Sequence, residues 1–461
     1  MSSDPGERRD AGERTAWEAV ELFSDLIRNA CVNTGEPSSG HEIRSVHTIQ
    51  AFLGESGTVI EPLPGRASVV YRVAGTVPGA PRLLLIPHLD VVPANGAEWS
   101  RDPFAGEEAD GFVWGRGAVD MLNVTAAMVV IYRWLRDGVL PAPAGDVILA
   151  CVADEEAGGE HGAKYLVENH WDLVACEFVL TEVAGPALRS GAAAALPVTV
   201  AEKGPTWRTV SATGIPGHGS QPYGRTNAVL TVAEVFSRIA AAGQPVSVTD
   251  EWRTFLPYLG LGSERAAMLL DPNTLDEAID EIAEDDPTLA RWIHACTHMT
   301  LSPNVFVGGT KANMIPDFAT GELDIRLLPG QDVADLEDHL RKVLGPDLYE
   351  EIDLEPVMDM EATASLPEGL LWDAIGDAAE EHLGTRRLAP TLTPVTTDAR
   401  FFRARGIPAY GVGLFDDTIT FPEMLAMFHG VDEKISVASV EATTLFLASV
   451  VDAFSRRVAA Q

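Results

Sequence analysis

The sequence predicts an α/β protein that carries an inserted α+β domain. Strand-like and helix-like segments alternate up to about residue 198, as is typical of an α/β layer. The pattern then changes to one typical of antiparallel strands, and from about residue 363 the first pattern resumes. A chain of 461 residues is also too long for one ordinary hydrophobic core. We therefore predict a discontinuous main domain at residues 1–198 and 363–461 and an inserted domain at residues 199–362.

The elements of the main domain follow from the spacing of apolar residues. Trp17, Val20, Phe23 and Ile27 recur at helical intervals, so they predict a helix with one packed face. The alternation of strand and helix that follows favours a mainly parallel sheet covered by helices. The predicted strands are ASVVYRVAG, RLLLIPHLDVV, GDVILACVA and CEFVLTEVAG, and the predicted helices include VTAAMVVIYRWLRDG and GAKYLVENHW.

The inserted domain has the order strand, helix, helix, strand, helix, strand, which suits a small α+β domain with one sheet face covered. A helical extension is expected at roughly residues 250–300. It contains His294, Cys296 and His298, whose types would suit a metal site. Because alternate positions on a helix do not share a face, we interpret these three residues as structural, and only His298 as a possible substrate contact.

Composition and charge restrict the classes of function. The 33 basic and 68 acidic residues give a net charge of −35, which disfavours nucleic acid and anionic membranes as partners. No run reaches the ~18 apolar residues of a membrane span. The four cysteines form no CxxC pair, and the N-terminus shows no apolar signal-peptide core, so we expect a reducing, cytoplasmic setting.

Histidine and acidic residues follow several predicted strands. His88 and Asp90 follow one strand, Glu155 and Glu156 end the buried run ILACV, and Glu182 ends another strand. The carboxyl ends of parallel strands meet at one edge of a sheet, where ligands bind in open α/β proteins. Uncompensated charge at the end of a buried strand is costly unless a cation is present. These residues therefore predict a cation site at that edge.

Two further ligands are expected from outside the strand ends. Asp120 lies in a glycine-rich loop before a helix, and His429 lies far downstream in MFHGVDE. Imidazole and carboxylate groups form a nitrogen and oxygen ligand set that zinc accepts, and their spread over several strands suits two ions that share a water. A side chain that bridges both ions must be Asp or Glu, because only a carboxylate offers two oxygens, and Asp120 is the best candidate. Taken alone, Asp120 could instead be a helix N-cap and Glu182 a surface acid.

Nine motifs occur in an order that resembles the co-catalytic zinc amidohydrolases, the family of acetylornithine deacetylase, succinyl-diaminopimelate desuccinylase, aminoacylase and glutamate carboxypeptidase. The resemblance extends from about residue 17 to the C-terminus. It implies a metal-dependent hydrolase that cleaves an amide bond adjacent to a carboxylate. The motifs are HLDVVPA, GRGAVDM, DEEAGG, LTE, GHGSQP, NMIPD, DIRLLPG, TDARFFRARGIPAYG and FHGVDE.

The resemblance also implies roles for the residues near the ions. The cofactors would be two Zn²⁺ ions, although Co²⁺ or Mn²⁺ would suit the same ligands. Glu155 would act as the general base on the bridging water, and Asp90 would orient a ligating histidine. One ion would bind to His88, Asp120 and Glu182, and the other to Asp120, Glu156 and His429.

The inserted domain would then be a lid that also forms a homodimer. His218 would reach the active site of the partner subunit and hold the developing oxyanion. Asn313 and Arg326 would hold the substrate, with Arg326 as a fork for its carboxylate. Thr397 would line the substrate side, and Gly411 would keep the backbone open near it. Here the chain has PVTTD where the family often has Gly-Gly or Ser-Gly, so the expected substrate side departs from the family pattern.

Three functions remain open at this point. The first is an N-acyl amino acid deacylase, and the second is a dipeptidase or carboxypeptidase with the same site. Both would take a small-molecule substrate, an N-acyl amino acid or a short peptide. The third, from another class, is an inactive metal-binding scaffold protein.

Overall fold

The computed structural model describes residues 11–183, 185–190 and 193–461. Within these residues the two main sheets have ten and five strands. The predicted helix around Phe23 is the first element, and the predicted strands of the main domain follow in order. The elements up to residue 202 are α1 (Ala11–Arg28), α2 (Ile43–Leu53), β1 (Thr58–Leu63), β2 (Arg66–Val73), β3 (Leu83–Leu85), β4 (Glu107–Ala109), β5 (Phe112–Trp114), α3 (Leu122–Arg136), β6 (Val147–Cys151), α4 (Ala163–Asn169), α5 (Trp171–Val174), β7 (Phe178–Thr181), β8 (Gly185–Pro186), β9 (Leu188–Ser190) and β10 (Ala193–Glu202).

The middle of the chain contains the five-stranded sheet, its helices and the predicted helical extension. One helix, α11, is interrupted at Gly345, which has a φ of 74°. The elements are β11 (Gly204–Pro205), β12 (Arg208–Thr213), β13 (Gly217–His218), α6 (Ala228–Ala242), α7 (Asp250–Phe255), α8 (Ser263–Met268), α9 (Leu275–Asp285), α10 (Pro287–Thr297), β14 (Thr300–Gly308), β15 (Met314–Ile315), β16 (Phe318–Leu327), α11 (Val333–Glu350) and β17 (Ile352–Pro356).

The last part of the chain returns to the ten-stranded sheet. It contributes three of that sheet's strands and the long C-terminal helix. The elements are β18 (Thr363–Ala364), α12 (Leu370–Leu383), β19 (Leu388–Thr393), α13 (Ala399–Arg403), β20 (Ala409–Gly411), β21 (Leu414–Phe415), α14 (Phe421–Met427), β22 (Lys434–Ser436) and α15 (Val437–Ala459).

The ten-stranded sheet is mixed, with a parallel centre. Its strands run in the order β1-β2-β6-β3-β7-β20-β10-β18, and β9 and β19 also pair with β10. The four central strands, β6, β3, β7 and β20, are mutually parallel, whereas the β1–β2, β2–β6 and β20–β10 pairs are antiparallel. The predicted α/β class is therefore confirmed, and the parallel pairing is concentrated where the candidate site residues follow the strands.

Helices bury both faces of this sheet. Leu83 and Leu85 of β3 belong to the core under α1, α3, α12 and α15, whereas Leu84 and Ile86 belong to a second core under α4, α5 and α13. Successive side chains on a strand point to opposite faces, so a strand covered on both sides needs apolar residues throughout. This explains the continuous apolar runs of β3 and β6.

The five-stranded sheet has a separate core on one face, as expected for the inserted α+β domain. Its buried residues all lie between Val210 and Ile352 and include side chains of α6 and α11. The helical extension behaves differently, because Trp252, Trp292 and Cys296 join the large core of the main sheet. The extension, expected as part of the lid, thus packs against the other domain. The exact domain bounds stay a prediction.

The chain crosses between the two sheets four times between residues 193 and 364: after β10, between α6 and α7, between α10 and β14, and between β17 and β18. Lys203 lies at the first crossing and is fully buried. Its Nζ donates to the carbonyl oxygens of Ala295 and His298 at 3.1 and 2.7 Å, and to Thr300 Oγ1 at 2.9 Å. Burial lowers the pKa of Lys203 to about 7.

One described helix, α15, has the length and hydropathy of a membrane span, with a mean hydropathy of 1.5. The apolar stretch of this helix is 61% buried inside the protein, and the helix packs against α1, α3 and α12. Burial in the protein core therefore accounts for its apolar composition.

Candidate metal centre and active site

The acidic turn after β6 reverses sharply enough to direct two glutamates toward one site. Asp154 has a φ of 70° and precedes a short 3₁₀ turn at Glu155–Ala157. Its carboxylate accepts hydrogen bonds from the backbone N–H of His161 at 2.9 Å and from Asn33 Nδ2 at 3.3 Å. Arg66 Nη1 lies 3.2 Å from the same carboxylate. Two hydrogen bonds and one ion pair therefore hold the Asp154 carboxylate in place.

A buried polar network supports this turn from below. Asn33 Nδ2 donates to Asp90 Oδ2 at 2.8 Å, and Asn33 Oδ1 accepts from Arg66 Nη2 at 2.8 Å. Arg66 in turn forms an ion pair with Glu42 at 2.8 Å. The three residues Asn33, Arg66 and Glu42 are at most 3% exposed. Nothing in the sequence pattern identified them, because each lies in a different segment without a recognisable motif.

Asp90 positions both the histidine and the acidic turn, but not in the way expected. The Nδ1 of His88 lies 2.9 Å from the backbone oxygen of Asp90 and 3.6 Å from its carboxylate Oδ1. The second distance exceeds a normal hydrogen bond, so the ring is oriented by the backbone carbonyl. The carboxylate instead accepts the backbone N–H groups of Glu155 and Glu156 at 3.2 and 3.0 Å.

The predicted ligands form two groups that share Asp120. In each group the ligand atoms lie within 4.8 Å of one another. In the first, His88 Nε2 is 3.2 Å from Asp120 Oδ1 and 3.8 Å from Glu182 Oε2. In the second, His429 Nε2 is 3.5 Å from Asp120 Oδ2 and 3.3 Å from Glu156 Oε2. The two oxygens of Asp120 thus face different groups, as a bridging carboxylate requires.

The electrostatics of these groups fit divalent cations. Burial raises the pKa of Glu182 to about 8, and burial together with Asp120 raises that of Glu156. Hydrogen bonds to Asp120 and Glu156 raise the pKa of His429 to about 10. Without a metal, protons must therefore balance the clustered carboxylates. Dications can replace these protons, and zinc, cobalt and manganese all accept imidazole and carboxylate ligands.

Glu155 belongs to neither ligand group among the described residues, although it lines the same cavity. Burial, reinforced by the charge of Glu182, raises its pKa well above the usual value for a carboxylic acid. A carboxyl group with a raised pKa beside a metal centre suits the predicted role of general base.

A buried acid that the sequence analysis did not single out anchors the loop of Asp120. Glu433 accepts the backbone N–H groups of Gly117, Val119 and Asp120 at 3.0, 2.6 and 3.2 Å. It also pairs with Arg116 Nη1 at 2.9 Å. The signal was available, since Glu433 ends the quoted motif FHGVDE, but the motif alone does not show which acid is buried.

The two ligand groups open into a cavity of about 660 Å³, and Arg326 lines the same cavity. Asp324 holds the guanidinium, with Nε and Nη2 donating to its two oxygens at 3.1 and 3.3 Å. Arg326 Nη1 donates to the backbone oxygen of Pro394 at 3.4 Å. The structure therefore brings Arg326 together with the ligands and Glu155.

Two other predicted substrate residues are corrected by the structure. Thr397 is 1% exposed, and its hydroxyl donates to Glu202 Oε2 at 2.8 Å, so the adjacent Thr396 lines the cavity instead. Gly411 lies in the buried strand β20, where a Cβ would stand 1.8 Å from the backbone oxygen of Glu182. Its small size is thus needed for the close approach of two strands rather than for substrate.

His218 and Asn313 lie together on the inserted domain and do not line the cavity. Both are exposed, and β13, which contains His218, pairs with β15 beside Asn313. The His218 Nδ1 accepts the backbone N–H of Ser220 at 3.2 Å, so in the neutral ring the proton is on Nε2, which can donate. Within one chain, the structure does not bring these residues to the metal groups.

The His294, Cys296 and His298 set has the structural role that the sequence favours. His298 is 1% exposed, stacks on His294 with ring centres 3.9 Å apart, and has its Nε2 3.0 Å from Asp276. Cys296 is fully buried, and its thiol donates to the backbone oxygen of Leu392. None of the three lines the cavity, so His298 does not contact substrate there.

Known proteins resemble this chain over nearly its whole length. The sequence pattern of peptidase family M20/M25/M40 matches residues 84–453. Aminoacylase-1 of Sus scrofa is 28% identical over 434 residues, which cover 93% of this chain and 93% of that protein. The M20 family metallo-carboxypeptidase of Sulfolobus solfataricus has a TM-score of 0.71 at 17% identity, with 95% and 99% coverage. Human carnosine dipeptidase 1 has a TM-score of 0.66 at 16% identity, with 97% and 99% coverage.

The fold and the paired ligand groups define a class of protein, the metal-dependent hydrolases of amide bonds. The two structural neighbours support the fold alone at their low identities. The chain belongs to peptidase family M20/M25/M40, whose pattern spans most of its length. The predicted family and enzyme class are thereby confirmed, whereas the roles of individual residues stay predictions.

Proposed function

We propose that the chain hydrolyses N-acyl amino acids through a two-zinc site, with Asp120 as the bridging ligand. The observation that carries this proposal is the arrangement of Asp120 between two ligand groups in a cavity that also contains Glu155 and Arg326. The likeness to an aminoacylase-1 over 93% of both chains favours an acyl amino acid over other amides.

The proposed mechanism assigns one task to each group of this chain. Arg326 binds the substrate carboxylate as a planar fork and so places the amide beside the metal groups. Ions held by the two ligand groups would supply Lewis acidity for the scissile carbonyl and would lower the pKa of the attacking water. Glu155 takes the proton from that water and delivers it to the leaving amine. His218, supplied by a second chain, donates from Nε2 where the oxyanion forms.

A substrate panel tests this proposal and its rivals. The metal-loaded protein is expected to hydrolyse N-acetyl amino acids faster than dipeptides of the same residues. Preference for dipeptides would instead establish the dipeptidase or carboxypeptidase alternative. Bound metal without turnover of either class would support a scaffold protein. Reconstitution of the stripped protein with Zn²⁺, Co²⁺ or Mn²⁺, followed by activity and affinity measurements, tests the metal.

Replacing Arg326 by Ala is expected to raise KM for N-acetyl amino acids by ~10- to 100-fold, because a hydrogen bond to a charged group contributes about 1.5–3 kcal/mol. The kcat should change less, since Arg326 would bind the carboxylate and takes no part in the proposed proton transfer. Amidated substrates, which lack the carboxylate, provide the control and should lose little. An unchanged KM for the free acids would assign Arg326 a purely structural role.

We further propose a homodimer formed through the inserted domain, which would bring His218 to the cavity of the other chain. The exposed position of His218, outside its own cavity, supports this arrangement. The edge strand β14 also exposes apolar residues, including Phe306 and Val307, that a second chain would cover.

Mixing two inactive variants tests the shared site. His218→Ala chains and Glu155→Gln chains should each be inactive alone. Their mixed dimer has one site with both wild-type residues, so unfolding and refolding the mixture should restore activity. No recovery, with dimers verified by light scattering, would contradict a His218 supplied by the partner.

We also propose a cytoplasmic setting, which the four buried, unpaired cysteines support.

A further inference from the structure

A second, apolar cavity of about 270 Å³ adjoins the cavity that contains the two ligand groups. Val395 and Phe428 line both cavities, so the two spaces share a wall. Phe428 precedes the predicted ligand His429 in the chain, and Val183, which also lines the apolar cavity, follows Glu182. A chain neighbour of one ligand from each group therefore lines the apolar cavity.

We infer that this cavity is a side-chain pocket for the amino acid whose carboxylate Arg326 binds, and that it selects large apolar side chains. The inference rests on the proposed function. This side-chain pocket is lined by Trp292 and Ala295 of α10, Leu392 of β19, and Phe421, Met424 and Leu425 of α14.

The position of Arg326 decides which part of the substrate enters. Its Nη1 donates to the backbone oxygen of Pro394, and Pro394 itself lines the side-chain pocket. In an N-acyl amino acid the side chain and the carboxylate share one carbon atom, whereas the acyl group starts beyond the amide nitrogen. A substrate held by Arg326 therefore has its side chain nearer to the pocket than its acyl chain.

The lining of the side-chain pocket decides the chemistry of the occupant. Its single charged residue among those described is Arg291, which is exposed and donates to Thr288 Oγ1 at 3.0 Å. The hydroxyls of Thr199 and Thr391 lie 3.5 Å from each other. A charged side chain would therefore lose its hydration without finding a buried charged partner among the described lining residues, whereas an apolar one would gain from leaving water.

The helical extension is what closes this pocket. Trp292 and Ala295 belong to α10, which packs on the core of the ten-stranded sheet rather than on the five-stranded sheet. The side chain of Trp292 meets that of Phe421 edge to face, with ring centres 5.4 Å apart. The extension thus reaches the substrate through Trp292 and Ala295 rather than through His298, which the sequence had suggested.

Kinetics on two matched substrate series test the inference. In N-acetyl amino acids, kcat/KM is expected to rise by ~10-fold or more from alanine to leucine, as for added methylenes in an apolar pocket. The variant Ala295→Phe fills the pocket and should remove that preference, lowering kcat/KM for N-acetyl-leucine far more than for N-acetyl-alanine. The control Ala404→Phe makes the same change at an exposed position and should leave the preference intact.

Each alternative outcome has a distinct reading. If Ala295→Phe lowers only the activity on longer acyl chains attached to glycine, the pocket holds the acyl group and the inference is overturned. A higher activity on N-acetyl-glutamate than on N-acetyl-leucine would overturn it as well. Leu425→Trp fills the same space and replaces Ala295→Phe should that variant fail to fold.

Calorimetry separates this inference from the proposed function. If the wild-type protein hydrolyses no acyl amino acid, the proposed function fails, and binding of N-acetyl-leucine and N-acetyl-alanine to the metal-loaded protein then decides. Tighter binding of the leucine derivative that is lost in Ala295→Phe would support the side-chain pocket. Equal affinities in both proteins would overturn it.

Discussion

Replacing Glu155 by Gln is expected to abolish turnover while both ligand groups keep their metal ions. Glu155 lies outside both ligand groups but lines their cavity, so its loss should not release metal. Gln retains the size of the side chain but cannot accept a proton, and loss of a general base lowers rates by ~10²–10⁴-fold. The measurements are kcat on N-acetyl-leucine and metal content per chain by atomic emission.

Glu160→Gln is the matched control for this variant. Glu160 lies in the same loop, is exposed and pairs with Lys164 at the surface, so the same change there should alter neither kcat nor metal content. Near-normal turnover in Glu155→Gln would remove Glu155 from the mechanism. Loss of metal from that variant would make Glu155 a ligand rather than the base.

Replacing Asp120 by Ala is expected to release both ions and reduce activity to background. Its two oxygens face His88 and His429, which belong to different ligand groups, so each group loses a ligand at once. The loop should stay in place, because Glu433 binds the backbone N–H groups of Gly117 and Val119. The metal content per chain after dialysis is the measurement.

Single-group ligands provide the comparison for Asp120. Glu182→Ala and His429→Ala each disturb one group, so each variant should lose one ion and keep the other. The thermal midpoint of the metal-free Asp120→Ala protein should match that of metal-free wild type. Two ions retained by Asp120→Ala would show that no carboxylate bridge exists.

The strand-end ligands could be predicted because of how parallel sheets are built. β3, β6 and β7 are parallel neighbours, so the residues that follow them meet at one edge. This places His88, Glu156 and Glu182 together without further information. His429 reaches the site from more than 240 residues later than Glu182 in the chain, and only the order of motifs indicated it.

The supporting contacts could not be predicted in this way. Asn33 bonds to Asp90 and Asp154 across 57 and 121 residues, and such long-range contacts leave no periodic signal. Thr397 shows a related limit. The sequence indicated the right strip of chain, but neighbouring side chains point in different directions, and Thr396 rather than Thr397 faces the cavity.

The four crossings between the sheets constrain how the inserted domain can move. A domain joined by two chain segments can rotate about the line through them. A domain joined by four segments can rotate only if all four segments bend together. Lys203 ties the first crossing to the third, because its Nζ donates hydrogen bonds to Ala295, His298 and Thr300. Those two crossings therefore act as a single pivot. The extension that closes the side-chain pocket packs on the main domain. Movement of the inserted domain about that pivot would therefore carry Arg326 away from the pocket, whereas the part of the pocket wall that α10 forms would stay in place.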